Sequence, residues 1–257
     1  MFSILPLEIE EMILDLLSED DEGYSALKTC SLVCKAFLHI CRKHIFGSIV
    51  LDDYYNSLPM TPAFEHLLRE TPEIADYIRI LDYNIRIEAL TSPTIQESFK
   101  RISRLEFLTV NAPSSSGPRH YWSNSPIRPT LLHLLHLPTL THFKVINMND
   151  FVVSDLIPCV NLKYLDIGAY TTVAAENTFP AALPEHSIQP NEFIAGMRIS
   201  AAIIKLCTAR RPDGQLIIDF GSLSKITVTL ELPNEGEASQ ELFRHCHALT
   251  NANISCK

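Results

Sequence analysis

His133 and His136 stand three residues apart with His142 close behind, and imidazoles at such a spacing on one helix face can share a zinc ion. The run His245-Cys246-His247 and the cysteines at 30, 34 and 41 are the other groups able to ligate a metal or act as thiolates. Each has a plainer reading. The first pair lies in Leu-Leu-His-Leu-Leu-His-Leu-Pro, which reads as a helix edge, and His245, Cys246 and His247 are too close together to converge easily on one ion. Cys30, Cys34 and Cys41 fall on one side of a helix, as packing thiols do. There is no GxSxG elbow, no HExxH and no glycine-rich phosphate loop, and the 257 residues include only eight glycines. No cysteine is singled out as a nucleophile with a distant histidine partner. The expectation is a protein without catalytic residues, metal or cofactor, whose work is binding.

The elements that would build such a binder are helices and short strands. Hydrophobic residues make up 46% of the chain and charged residues 20%, ordinary for a folded protein of a size that buries a substantial core. A net charge of −9, with Lys and Arg scattered, opposes binding to a phosphate backbone, so nucleic acid is not an expected partner. The opening MFSILPLEIEEM carries Glu8, Glu10 and Glu11 and no basic run, which argues against a secretory signal. No stretch approaches the ~20 apolar residues of a membrane span. Seven cysteines without a CxxC pair suit the reducing cell interior, cytoplasmic or nuclear, with no disulfides.

From Ser3, residues Ile9, Ile13, Leu16 and Leu17 keep the spacing of one helical face, Pro6 suits a first turn, and the acidic stretch 18–22 followed by Gly23 predicts the end of that helix. Further helices are predicted over 25–35 and 36–46, with Leu27, Cys30, Val33, Cys34, Phe37, Leu38, Cys41 and Ile45 as apolar positions. Apolar residues cover more than one face, so some should meet a partner. The segments Leu5-Pro-x-Glu-Ile9, Leu27-x-x-Cys30-Ser-Leu-Val-Cys34-Lys-x-Phe37 and Ile45-Phe46 resemble an F-box, especially the F-box-like domains of fungal proteins, over residues 3–51. The departures are a longer first loop and Phe37 where many members carry Trp. The resemblance implies docking on a Skp-family adaptor, and through it on cullin and RING subunits, with Leu5, Pro6, Ile9, Leu32, Val33 and Phe37 as adaptor contacts. It implies the receptor subunit of an SCF-type ubiquitin ligase. The alternative is an interaction scaffold with no ligase role, in which the first fifty residues merely cap the next domain.

After a stretch at 52–72, read as a linker with a short helix near 63–70, an apolar-x-x-apolar-x-apolar pattern recurs. It begins at Ile78, Leu105, Leu140, Leu162, Leu223 and Leu249, with a weaker unit at Ile194/Met197/Ile199, and the starts fall 22 to 35 residues apart. Phe46/Ile49/Leu51 also fits. Helix-like stretches at 92–102, 129–137, 152–159, 199–210 and 237–247 precede most of these strands. The units resemble irregular leucine-rich repeats, which implies an α/β fold. In it a helical domain at 1–51 is followed by a solenoid at 73–257 of about six or seven units, with a parallel sheet and helices on the outer face.

Strand alternation predicts that Asp82, Thr109, Lys144, Asp166, Arg198, Thr227 and Asn253 point away from the core. All are polar. With Phe107, His142 and Tyr164 two residues earlier, the expected target-binding residues are Phe107, Thr109, His142, Lys144, Tyr164 and Asp166. Two irregular segments, 111–129 and 174–190, read as loops, and Trp122, the one tryptophan, is expected to fold back onto the body of the protein.

Overall fold

The computed structural model describes residues 6–19, 23–52, 60–85, 93–112, 121–174, 179, 183–231 and 235–256. Three helices come first: α1 (Leu7–Ser18), α2 (Gly23–Cys30) and α3 (Lys35–Ile45). The carbonyl of Pro6 accepts from Ile9 and Glu10 at the start of α1, and Glu8 and Glu10 sit where the helix dipole favours carboxylates. Leu14, Leu27, Ile40 and Cys41 form a small buried core, with Leu17, Cys30, Phe37 and Ile45 packed against it. His44 Nε2 lies 2.8 Å from the Asp15 carboxylate, tying α3 to α1. Gly23 has to be glycine here: a Cβ would run into the Leu17 carbonyl, because α2 starts hard against the end of α1.

Only Phe46 and Gly47 separate α3 from β1 (Ser48–Leu51), the first strand of a parallel sheet. The other strands are β2 (Ile80–Asn84), β3 (Phe107–Asn111), β4 (His142–Ile146), β5 (Tyr164–Ile167), β6 (Glu192–Ala195), β7 (Lys225–Leu230) and β8 (Asn251–Cys256). Their order in the sheet is their order in the chain, and every described pairing is parallel. A parallel return needs a crossover, and α4 (Met60–Glu70), α5 (Pro93–Lys100), α6 (Arg128–Leu135), α7 (Ser200–Thr208) and α8 (Glu235–His245) lie in these connections. Residues 153–156 make a single 3₁₀ turn instead.

One backbone device recurs at every strand start. The carbonyl of the residue just before one strand accepts two consecutive N–H groups leading into the next. Gly47, Arg79, Glu106, Thr141, Lys163, Asn191 and Ser224 do this in turn, at 2.8–3.1 Å. The register that follows puts Leu81, Leu108, Phe143, Leu165, Phe193 and Ile226 side by side, all buried. Phe99 of α5, Leu131 of α6, Leu206 of α7 and Leu242 of α8 join the same core, so the helices cover one face of the sheet and leave the other open.

The segment expected as a linker is partly built into this core, since Phe64 and Leu68 of α4 are buried in it. The strand expected at Ile194/Met197/Ile199 is also corrected. The inward positions of β6 are Phe193 and Ala195, with buried Pro190 in front, so the unit begins four residues earlier. Just past the strand, the backbone at Gly196 passes so close to Gly168 and Ala169 that a Cβ there would strike them. Arg198 therefore leaves the predicted ladder; it has φ 59° and turns its guanidinium onto the Glu231 carboxylate at 2.6 and 2.9 Å. At the sheet edge, Ala252 and Ile254 of β8 were expected inside but are exposed, because no described element covers that face beyond α8.

Trp122 does fold back. It is fully buried, meets Phe151 edge-on at 5.1 Å, and donates its indole N–H to Asp155 at 2.5 Å. Arg128 holds both oxygens of the same carboxylate at 2.7 and 3.0 Å, and His136 Nε2 lies 2.8 Å from the Asp155 carbonyl oxygen. A buried carboxylate with this many donors pins the segment from Trp122 to Arg128 over the core. Asp155→Ala is expected to cost about 3 kcal/mol, since it strands a partly buried guanidinium and an indole N–H. Urea unfolding followed by circular dichroism measures it, and a loss below about 1 kcal/mol would show that the loop is held by packing alone.

Candidate protein-interaction surfaces

Between α2 and α3 the chain makes a tight turn in which Ser31, Leu32 and Val33 donate their N–H groups to the carbonyls of Leu27, Thr29 and Cys30. Cys34 is extended (φ −158°) and starts α3, so the two helices do not fuse. That break pushes Leu32 and Val33 into solvent, 86% and 69% exposed. It also takes Cys34 off the expected helical side: Cys41 is buried and Cys30 half-buried, but Cys34 is exposed. On α1 the stripe Ile9, Ile13 and Leu16, with Met12 beside it, faces outward while Leu14 and Leu17 face the core. Among the described residues, this small three-helix unit thus exposes Ile9, Met12, Ile13, Leu16, Leu32 and Val33, and fully burying such a side chain against a partner is worth about 1.5–3 kcal/mol.

The open face of the sheet carries the second surface. Phe107, His142 and Tyr164 are register partners on β3, β4 and β5. Their rings stack, Phe107 on His142 at 3.8 Å between centroids and His142 on Tyr164 at 5.3 Å. They line a depression of about 370 Å³ with Lys144 and Glu192. Two residues along each strand, Asp82, Thr109, Lys144 and Asp166 form the next row, and Lys144 Nζ lies 3.0 Å from Asp166 Oδ2. A third row is amide: Asn111 donates to Asn84, and Asn147 to Asn111.

Residues 2–49 match the F-box domain of known proteins. The chain carries an F-box. No curated protein matches it. F-box domains bind Skp-family adaptors in SCF-type ubiquitin ligases. Of the adaptor contacts expected from the sequence, Pro6, Ile9, Leu32 and Val33 are exposed on this F-box, Phe37 is half-buried against its core, and Leu5 lies outside the described residues. Met12, Ile13 and Leu16 were not singled out as contacts, although two apolar stripes on one short helix were the available signal. The F-box is fixed to the sheet domain by Arg42–Glu73 at 3.2 Å and by the Tyr77 hydroxyl 2.7 Å from His39 Nδ1, besides the short α3–β1 junction.

The six residues expected to bind a target lie together on the open face of this F-box chain, but they are not equally available. Asp166 is 4% exposed, and burial pushes its carboxyl above the usual range even though Lys144 opposes the shift. Asp82 is raised by burial too. Burial, with the nearby Asp166 and Glu192, lifts Tyr164 to about 12. His142 is lowered, first by burial and then by Lys163, with Glu192 and Glu106 opposing, so its ring is neutral at pH 7. The sheet separates His142 from His136, which is spent on Asp155. Among the described residues no cluster of three or more metal-binding side chains occurs. Burial raises the thiols of Cys159, Cys207 (about 12) and Cys246 (about 11), which leaves them protonated and poor nucleophiles. No described helix is long and apolar enough to cross a membrane.

A raised folded pKa means that the native state keeps the Asp166 proton to higher pH than the unfolded chain does. The stability this gives is complete below the unfolded value near 3.8 and is lost as pH rises through the folded one. Asp166→Asn removes that loss, and half-exposed Lys144 rehydrates. The variant is expected to unfold at a higher urea midpoint than wild type at pH 7, with the gap closing toward pH 3. A lower midpoint at pH 7 would mean that the Lys144 pair outweighs the burial of the charge.

Proposed function

We propose that this chain is the substrate receptor of an SCF-type cullin–RING ubiquitin ligase. The F-box docks on a Skp-family adaptor, and the sheet domain, read as a leucine-rich-repeat-like solenoid, holds a target protein on its open face. The chain forms no bond with the target chemically; it holds target lysines near the charged conjugating enzyme, which raises their effective concentration. The observation that carries the reading is the pair Leu32 and Val33, held out in water by a turn whose N–H groups are already spent. An apolar pair at 86% and 69% exposure is costly to leave uncovered, and it falls within the residues that match the F-box. The outward stripe of α1 is taken as a further part of the docking surface. As domains we take 1–51 as the F-box with its exit strand and the remainder as the repeat stack, with α4 counted in the stack because it is packed in that core. The reading goes with a cytoplasmic or nuclear location.

Co-purification and titration with a Skp-family adaptor test it, comparing wild type with Leu32→Asp/Val33→Asp. Both positions are solvent-facing, so the variant should keep the wild-type circular dichroism and melting profile. Loss of two buried anchors is expected to weaken the complex at least a hundred-fold. No complex with wild type, or undiminished affinity in the folded variant, would leave a protein-interaction scaffold without a ligase role.

A further inference from the structure

The ring row has a neighbour. Directly beside it, at the end of the strands where the shared carbonyls lie, a second depression of about 560 Å³ is lined by Glu106, Thr141, Asn161, Lys163, Gln189 and Asn191 among others. Glu106 and Thr141 immediately precede Phe107 and His142, and Lys163 precedes Tyr164, so the two hollows share an edge along β3, β4 and β5. They differ in chemistry. The first is walled by the three stacked rings with Thr109, Lys144 and Glu192, and the second by amides, two hydroxyls and charges together with Pro138, Val160 and Leu162.

The charges around the rings are mostly compensated. Glu106 faces Arg79 at 3.6 Å, Glu192 holds Lys225 at 2.8 Å, and Lys144 holds Asp166. Lys163 is exposed and has no ion-pair partner among the described residues, although its charge is close enough to act on the His142 ring. The neutral His142 adds no cation of its own at pH 7. Among the residues lining the two hollows, Lys163 is thus the cation that no described carboxylate pairs, on a chain whose net charge is −9.

We propose that this double depression binds a linear segment of a target protein that carries an apolar side chain next to an acidic one. The apolar group packs on the Phe107–His142–Tyr164 edges, and the carboxylate meets the Lys163 ammonium with Asn161 and Asn191 at its sides. Three strands at ~4.8 Å spacing span about 10 Å, the length of three extended residues, so the acid sits within about three residues of the apolar anchor. This inference rests on the receptor reading for its biological meaning, but the site is defined by its own residues.

Panning a random peptide display library against the full chain tests it. Recovered peptides are expected to pair Asp or Glu with an aromatic or branched aliphatic residue within three positions. Their affinity, read by fluorescence anisotropy, should fall at least tenfold in Lys163→Glu and in Tyr164→Ala. Panning Lys163→Glu afresh should return Lys or Arg in place of the acid, an outcome that misfolding cannot produce. No recovered peptide, peptides without acid enrichment, or affinity indifferent to Lys163→Glu would each overturn the proposal. Adaptor binding by the same preparations is scored separately. Acid-selective peptides without adaptor binding defeat the receptor reading and keep the site, whereas adaptor binding without such peptides defeats the site alone.

Discussion

A carbonyl oxygen that accepts two consecutive N–H groups from the next strand is the contact on which the rest of this sheet depends. It occurs at seven successive junctions, always at the residue before a strand, and so sets where each strand begins relative to its neighbour. A slip of one residue would exchange the faces and move every inward side chain into water. With the start pinned, Leu81, Leu108, Phe143, Leu165, Phe193 and Ile226 align on the helix side. The residue directly after each shared carbonyl then falls in the row where Phe107, His142 and Tyr164 stack. The row of rings on the open face is a by-product of backbone register. Connections of unequal length are tolerated because none of them has to fix that register.

The two ends of the chain's work make opposite use of burial. In the sheet domain nearly every large apolar side chain on the inward row is sealed beneath a helix. In the F-box Leu14, Leu27, Ile40 and Cys41 form the buried core among the described residues, and other large apolar side chains are left outside, at the 31–34 turn and along α1. A unit so small gains little stability of its own. It is steadied by its attachment to the sheet, through β1, Arg42–Glu73 and Tyr77–His39, and can keep a sticky surface that an isolated domain of that size could hardly carry.

Much of this was legible in the sequence because two periodicities rarely mislead together. The triads at 78, 105, 140, 162 and 223 gave strands in the right places, and helices α5 to α8 fell within two or three residues of their predicted spans, since both faces of each element are marked by what they bury. The unit near 194 failed for a physical reason: Ile194-x-x-Met197-x-Ile199 satisfies the pattern, but it is Phe193 and Ala195 that β6 turns inward, a register that only tertiary packing reveals. The apolar stripe of α1 was recognised, but which of its sides faced the core was not, because sequence marks a helix's apolar positions without saying which neighbour will cover them. The row of Phe107, His142 and Tyr164 was legible through the repeat register, whereas the amide row from Asn84 to Asn147 and the clamp on Asp155 join residues some 20 to 40 positions apart that no local pattern connects. Cys34 was misassigned because a three-residue turn is invisible to a count of helical positions.

A strand order that follows the chain order also decides how the molecule opens. Each strand is bonded only to those just before and after it in sequence, so the sheet can fray from an edge without tearing a distant pairing. β8, with residues 251–255 exposed on both faces, should be among the first to exchange its amide hydrogens. The stacked rings stand on the third, fourth and fifth of eight strands, several ladders in from either edge, where amide protons should be the slowest to exchange.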